Sequence, residues 1–171
     1  MMASYWMMVC CPTKIKKING DKLLDALKGA NHHTLCSQYG LDHGLIAPAL
    51  KNLDLFIPSD FEIVPYFVLK YRSGEAQPLI FESKIVEART GKNFFKDGGQ
   101  NEVFVSVLDE LKRTRTVFLV SLTPAQLIDM GILLAYETAR WILEHEGGVL
   151  RGLDGRWYRL NRHSAFLEIG R

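Results

Sequence analysis

Residues Thr116–Leu160 read TVFLVSLTPAQLIDMGILLAYETARWILEHEGGVLRGLDGRWYRL. Thr116–Leu122 is a nearly continuous β-branched and aromatic run of strand length, which suits a strand covered on both faces. Thr123 then offers a hydroxyl cap, Pro124 fills the first helical position, and Gln126 stands where a capping box closes. One helix is therefore expected over Pro124–Glu146, about 34 Å long at ~1.5 Å per residue. On it Gln126, Asp129, Glu137, Arg140 and Glu144 share an arc of roughly 80°, with Leu133 the one apolar residue inside. So narrow a polar arc describes a helix largely enclosed by protein, and Gly131, Ala135 and Thr138 line its buried side with small side chains. In lipid the same four charges would each be costly, so the helix is read as core and no membrane association is expected.

Gly147-Gly148 suits the left-handed backbone that ends helices. Val149–Arg151 and Arg156–Leu160 flank Gly152-Leu153-Asp154-Gly155 as a β-hairpin. The unit is strand, helix, hairpin. Were Val149–Arg151 to pair parallel to Val117–Leu122, the crossover would be right-handed.

Outward from this stretch, Tyr5–Cys11 reads as a first strand stopped by Pro12, and Asp21–Lys28 as a short helix with Leu23, Leu24 and Leu27 on one face. Ala30–Pro48 shows no periodicity and is expected as a loop carrying His32, His33, Cys36 and His43. Leu53–Phe61 is irregular. Tyr66–Arg72 and Leu79–Val86 form a second hairpin around Ser73–Ala76, with Phe67, Leu69 and Tyr71 on one face. Arg89–Gln100 reads as a loop, and Glu102–Arg113 as a helix with Asn101 as its cap. The expectation is one α+β domain over residues 1–171, with a mixed or mostly antiparallel sheet packed on one long C-terminal helix and shorter helices.

The 171-residue chain is 47% apolar, enough to bury a core without staples. A net charge of +2 sets up no global field for nucleic acid. Three cysteines, two of them adjacent at Cys10 and Cys11, make no disulfide framework, so a reducing, cytoplasmic location is expected. Glycine pairs lack the spacing of a phosphate-binding loop, no Gly-x-Ser-x-Gly elbow occurs, and no cofactor is implied.

Two constellations have chemistry in them. Leu79-Ile80-Phe81-Glu82-Ser83-Lys84 places Glu82 and Lys84 on one face of a strand, where a carboxylate can hold a divalent metal and an ammonium can orient water. With Pro58-Ser59-Asp60 upstream it resembles the PD-(D/E)xK nucleases, which would assign catalysis to Asp60, Glu82 and Lys84. A hairpin centred near Glu75 sets Glu82 opposite about Leu69, leaving Asp60 ~30 Å along the strand unless Pro65 bends it back. His33, Cys36 and His43 are the second set, with ligand types that zinc accepts.

The pattern Ala135…Ala139-Arg140-Trp141-Ile142…Gly147-Gly148…Asp154-Gly155-Arg156-Trp157-Tyr158 resembles the C-terminal part of small bacterial immunity proteins, which neutralise secreted toxins. That resemblance implies a non-catalytic binding protein whose partner is a cognate toxin domain. Its contact residues are expected in the Ala30–Pro48 and Arg89–Gln100 segments.

Overall fold

A computed structural model describes residues 5–62, 64–74, 76–87 and 102–171. In chain order the elements are β1 (Tyr5–Cys11), α1 (Gly20–Gly29), α2 (His32–Tyr39), a 3-10 turn (His43–Leu45), α3 (Ile46–Lys51), β2 (Asp54–Phe56), β3 (Tyr66–Lys70) and β4 (Leu79–Ile85). They continue with α4 (Glu102–Arg113), β5 (Thr116–Leu122), α5 (Pro124–Leu127), α6 (Met130–Glu146), β6 (Val149–Arg151), β7 (Trp157–Leu160) and β8 (Phe166–Gly170). The strands form one sheet in the order β2-β3-β4-β5-β1-β6-β7-β8. The fold is α+β, with antiparallel pairing between β2 and β3, β3 and β4, β1 and β6, β6 and β7, and β7 and β8.

Two compact units share these elements: Lys17–Glu82 with Val120–Thr138, and Trp6–Lys16 with Ser83–Leu119 and Ala139–Arg171. In the first, Phe67 and Phe81 face each other across β3 and β4 and stack with ring centres 4.7 Å apart. Leu23 and Leu27 of α1 are fully buried there, as their four-residue spacing on one helix face requires. In the second, Val107 and Leu111 of α4 pack with Cys10, Val117, Val149 and Trp157. Among the described residues, no helix is long and apolar enough to cross a membrane.

The capping box forms as expected: Thr123 accepts from the Gln126 N–H, and the Gln126 side chain accepts from the Thr123 N–H at 2.9 Å. The single long helix does not. It breaks after Leu127 at Ile128 (φ −110°, ψ 9°) and restarts at Met130. The cause is Asp129, whose carboxylate accepts from the Gly131 N–H at 2.7 Å and so caps a new helix instead of continuing the old one. α6 therefore has 17 residues, about 25 Å rather than 34 Å. The expected polar arc is itself partly enclosed: Gln126 is 1% exposed, Leu133 is fully buried, and Glu137 is buried as well. Ala135 and Thr138 are buried as expected.

Ala30–Pro48 is not a loop. Asn31 caps α2 by accepting from the Thr34 N–H, and Gly40 ends it in the left-handed conformation at φ 65°. Asp42 caps the 3-10 turn by accepting from the Gly44 N–H at 2.7 Å, and Pro48 sits in the first turn of α3, where its missing N–H is harmless. The caps are visible in the sequence. Periodicity conceals them, because the helices are too short to draw an apolar stripe.

Gly147 and Gly148 take φ values of 71° and 112° and end α6 as expected. The chain then enters β6, which pairs with β1 through Met8↔Arg151 and Cys10↔Val149. β6 does not pair with β5, since β1 lies between them. The expected hairpin follows, with Leu150↔Tyr158 and Arg151↔Trp157.

Candidate functional site

Glu82 and Lys84 lie on the exposed side of β4, alternating with buried Phe81 and Ser83. The register corrects the expected hairpin. Leu69 pairs with Leu79 and Tyr66 with Glu82, so the hairpin is centred on Gly74, and Glu82 stands opposite Tyr66 rather than Leu69. Asp60 is exposed in the turn of residues 59–62 that precedes β3. Among the described residues, no three His, Cys, Asp or Glu side chains are grouped to hold a metal ion.

The second constellation divides. Cys36 turns inward, is fully buried, and lies with its sulfur 3.7 Å from that of Met130. Burial raises its thiol pKa, with the Asp42 charge a smaller cause. His33 and His43 remain outside and meet, their Nδ1 atoms 3.1 Å apart and their rings edge to face. His32 is buried with Nε2 2.8 Å from the Leu27 carbonyl oxygen. One helical turn thus separates a core thiol from a surface imidazole pair.

A cavity of about 330 Å³ opens beside α3, walled by Leu45, Pro48, Ala49 and Met130 and bounded by Tyr71, Arg72 and Asp129. Its polar end is an ordered cluster. The Tyr71 hydroxyl donates to both Asp129 oxygens at 2.9 and 3.2 Å, and the Arg72 guanidinium pairs with the same carboxylate. Burial raises the Tyr71 phenol pKa, against smaller opposing effects of Arg72 and of a hydrogen bond with Gln126. Tyr71 is therefore a fixed donor at neutral pH. The cluster ties β3 to the start of α6.

Sequence reasoning passed over this cluster. Its components were separately visible, Tyr71 in the alternation Phe67, Leu69, Tyr71 and Asp129 on the polar arc of the expected helix. Nothing local joins residues 58 positions apart.

Comparison with protein-family models, with curated proteins and with solved structures finds no match to this chain.

The outward side of β2, β3 and β4 presents a different kind of surface. Phe56 pairs with Val68, and Val68 with Ile80, so the three side chains form one row across adjacent strands. Phe56 is 55% and Ile80 42% exposed. Asp54 opposite Lys70 lies on one side of this row, and Tyr66 opposite Glu82 on the other. Of the segments expected to supply contacts, Arg89–Gln100 lies outside the described residues.

Proposed function

We propose that this protein is a non-catalytic binding module that docks a partner protein on the outward side of β2–β3–β4, acting as an inhibitor of a toxin domain in the manner of an immunity protein. The row Phe56–Val68–Ile80 carries this reading. Three apolar side chains at strand spacing of ~4.8 Å make a contiguous apolar strip bordered by Asp54 and Lys70 on one side and by Tyr66 and Glu82 on the other. Interfaces of protein complexes have this composition, an apolar centre within a polar rim. The strip also stands on a firm base, because the opposite side of the same strands holds buried Phe67, Leu69, Leu79 and Phe81. Little ordering entropy would be lost on docking. The toxin as partner follows from the likeness of Ala135–Tyr158 to the immunity proteins.

The test is capture by the tagged protein from its native source at low and moderate salt, run beside a Phe56→Asp/Ile80→Asp double variant. Both positions are exposed, so the variant retains its fold, as checked by circular dichroism. The expected result is one partner at one-to-one stoichiometry, held by the wild type at both salts and lost by the variant. Expressing that partner alone should arrest growth, and co-expressing the wild type should restore it. A partner held equally by the variant, or a captured protein without toxicity, would refute the proposal. Asp60→Ala, in the turn before β3 and off the strip, should leave neutralisation intact, whereas the nuclease reading requires Asp60 for metal-dependent cleavage.

A further inference from the structure

We infer that His33 and His43 form a two-imidazole site for a late first-row divalent metal ion, organised by Ser37 and independent of Cys36. The approach of the two Nδ1 atoms to 3.1 Å carries the inference, and Ser37 supports it. A serine hydroxyl has one proton to give. The Ser37 hydroxyl donates it to the His33 carbonyl oxygen at 3.1 Å, one turn back in α2. The same oxygen lies 3.0 Å from Nε2 of His43 and accepts from it in the His43 tautomer that carries its proton on Nε2. In that tautomer Nδ1 of His43 presents a lone pair.

That lone pair points at His33, whose Nδ1 is 3.1 Å away. Without metal, His33 donates Nδ1–H to it. When His33 shifts its proton to Nε2, which is a change of tautomer with no net loss of a proton, both Nδ1 atoms become donors to one ion. With metal–nitrogen bonds of ~2.1 Å, a separation of 3.1 Å subtends about 95° at the metal. This is close to the cis angle of tetragonal nickel and copper sites, and imidazole suits both ions.

The surroundings fit ligation. In metal sites the second imidazole nitrogen usually donates to an oxygen that sets ring orientation and tautomer. Ser37, 3.0 Å from Nε2 of His43, is placed to do this before any metal arrives. The two histidines come from different elements, His33 from α2 and His43 from the 3-10 turn, each capped at its start by a side-chain hydrogen bond. Asp42, the nearest acid in sequence, has one carboxylate oxygen engaged with the Gly44 N–H at 2.7 Å. Water completes the coordination shell, since no third His, Cys, Asp or Glu joins the pair among the described residues. Nickel and copper are expected to bind more tightly than manganese, following the stability order of divalent ions with nitrogen ligands.

The experiment is calorimetric titration of the untagged full chain with Ni²⁺ and Cu²⁺, and with Mg²⁺ as an oxygen-preferring control. One equivalent of each transition ion should bind the wild type and Mg²⁺ should not. His33→Ala and His43→Ala should each weaken binding at least tenfold, while His163→Ala should leave it unchanged. Ser37→Ala keeps both ligands and should weaken binding less than either histidine substitution. In NMR spectra of the imidazole nitrogens, paramagnetic Ni²⁺ should broaden Nδ1 of both histidines first. No saturable binding by the wild type, or equal binding by folded His33→Ala or His43→Ala protein, would overturn the inference.

Discussion

Replacing Asp129 with alanine should cost this protein about 3 kcal/mol of stability, the sum of three separable losses. The Tyr71 hydroxyl loses its carboxylate acceptor inside a residue only 3% exposed. An unpaired buried donor costs about 1–3 kcal/mol, taken here at its lower end. The Gly131 N–H loses the acceptor that caps α6 at 2.7 Å, worth about 1 kcal/mol. The pair with Arg72, whose side chain is 35% exposed, adds no more than about 1 kcal/mol after solvent screening. Asparagine separates these terms. Asp129→Asn keeps Oδ1 for Tyr71 and Gly131 but removes the charge and turns Oδ2, the partner of Arg72, into an NH2 donor, so its expected loss is about 1 kcal/mol. Urea unfolding followed by circular dichroism reads both. At a slope of ~2 kcal/mol per molar, alanine should lower the midpoint by about 1.5 M and asparagine by about 0.5 M. Because the groups share one carboxylate, a Tyr71→Phe/Asp129→Ala cycle should be non-additive. A midpoint shift for alanine below about 0.3 M, or equal shifts for both variants, would refute the view that this cluster fixes the start of α6.

Four further outcomes are expected. Cys10, Cys11 and Cys36 are free and buried, so a thiol-reactive chromophore at pH 8 should find none rapidly in the native protein and all three in urea. Burial, with the Glu146 charge second, pushes the Cys11 thiol from 9.0 up to about 12, and burial raises Cys10 as well. A raised folded pKa contributes stability that is intact below the unfolded value of 9.0 and lost as pH climbs toward 12. Urea midpoints should therefore fall from pH 9 upward, less steeply in Cys10→Ala/Cys11→Ala protein; an equal slope would exclude these thiols as the cause. Gly148→Ala should prevent stable folding, since a Cβ there would drive into the Cys10 carbonyl at φ 112°. Gly40→Ala meets nothing within 4 Å at φ 65° and should cost only the left-handed penalty of about 1–2 kcal/mol, measured by the same urea titrations.

The sequence by itself determined the elements whose signals are local. Tyr5–Cys11 and Thr116–Leu122 are strands with the bounds their composition predicts, and Glu102–Arg113 is the helix its spacing predicts. The Thr123–Gln126 box and the Gly147-Gly148 stop form where their side chains and backbone freedom place them. Each signal acts within about one helical turn, so no distant residue can easily override it. Phe166–Gly170 was missed as a strand because no apolar run or clean alternation marks it; its identity comes from pairing with Trp157–Leu160.

Tertiary structure decided the rest. It placed β1 between β5 and β6, set Glu82 opposite Tyr66, drew Asp129 out of a continuous helix to meet Tyr71 and Arg72, and parted Cys36 from the two histidines. These outcomes depend on which surfaces the whole chain buries. Asp129 has good local reasons either to continue a helix or to cap one, and the phenol and guanidinium of the two residues after β3 tip the balance. His33 and Cys36 lie three positions apart in one helix, yet burial takes the thiol inward and leaves the imidazole in water to find its partner. Contacts between residues far apart in sequence close large loops at an entropic cost that only collective packing offsets, and no short window of sequence records that sum.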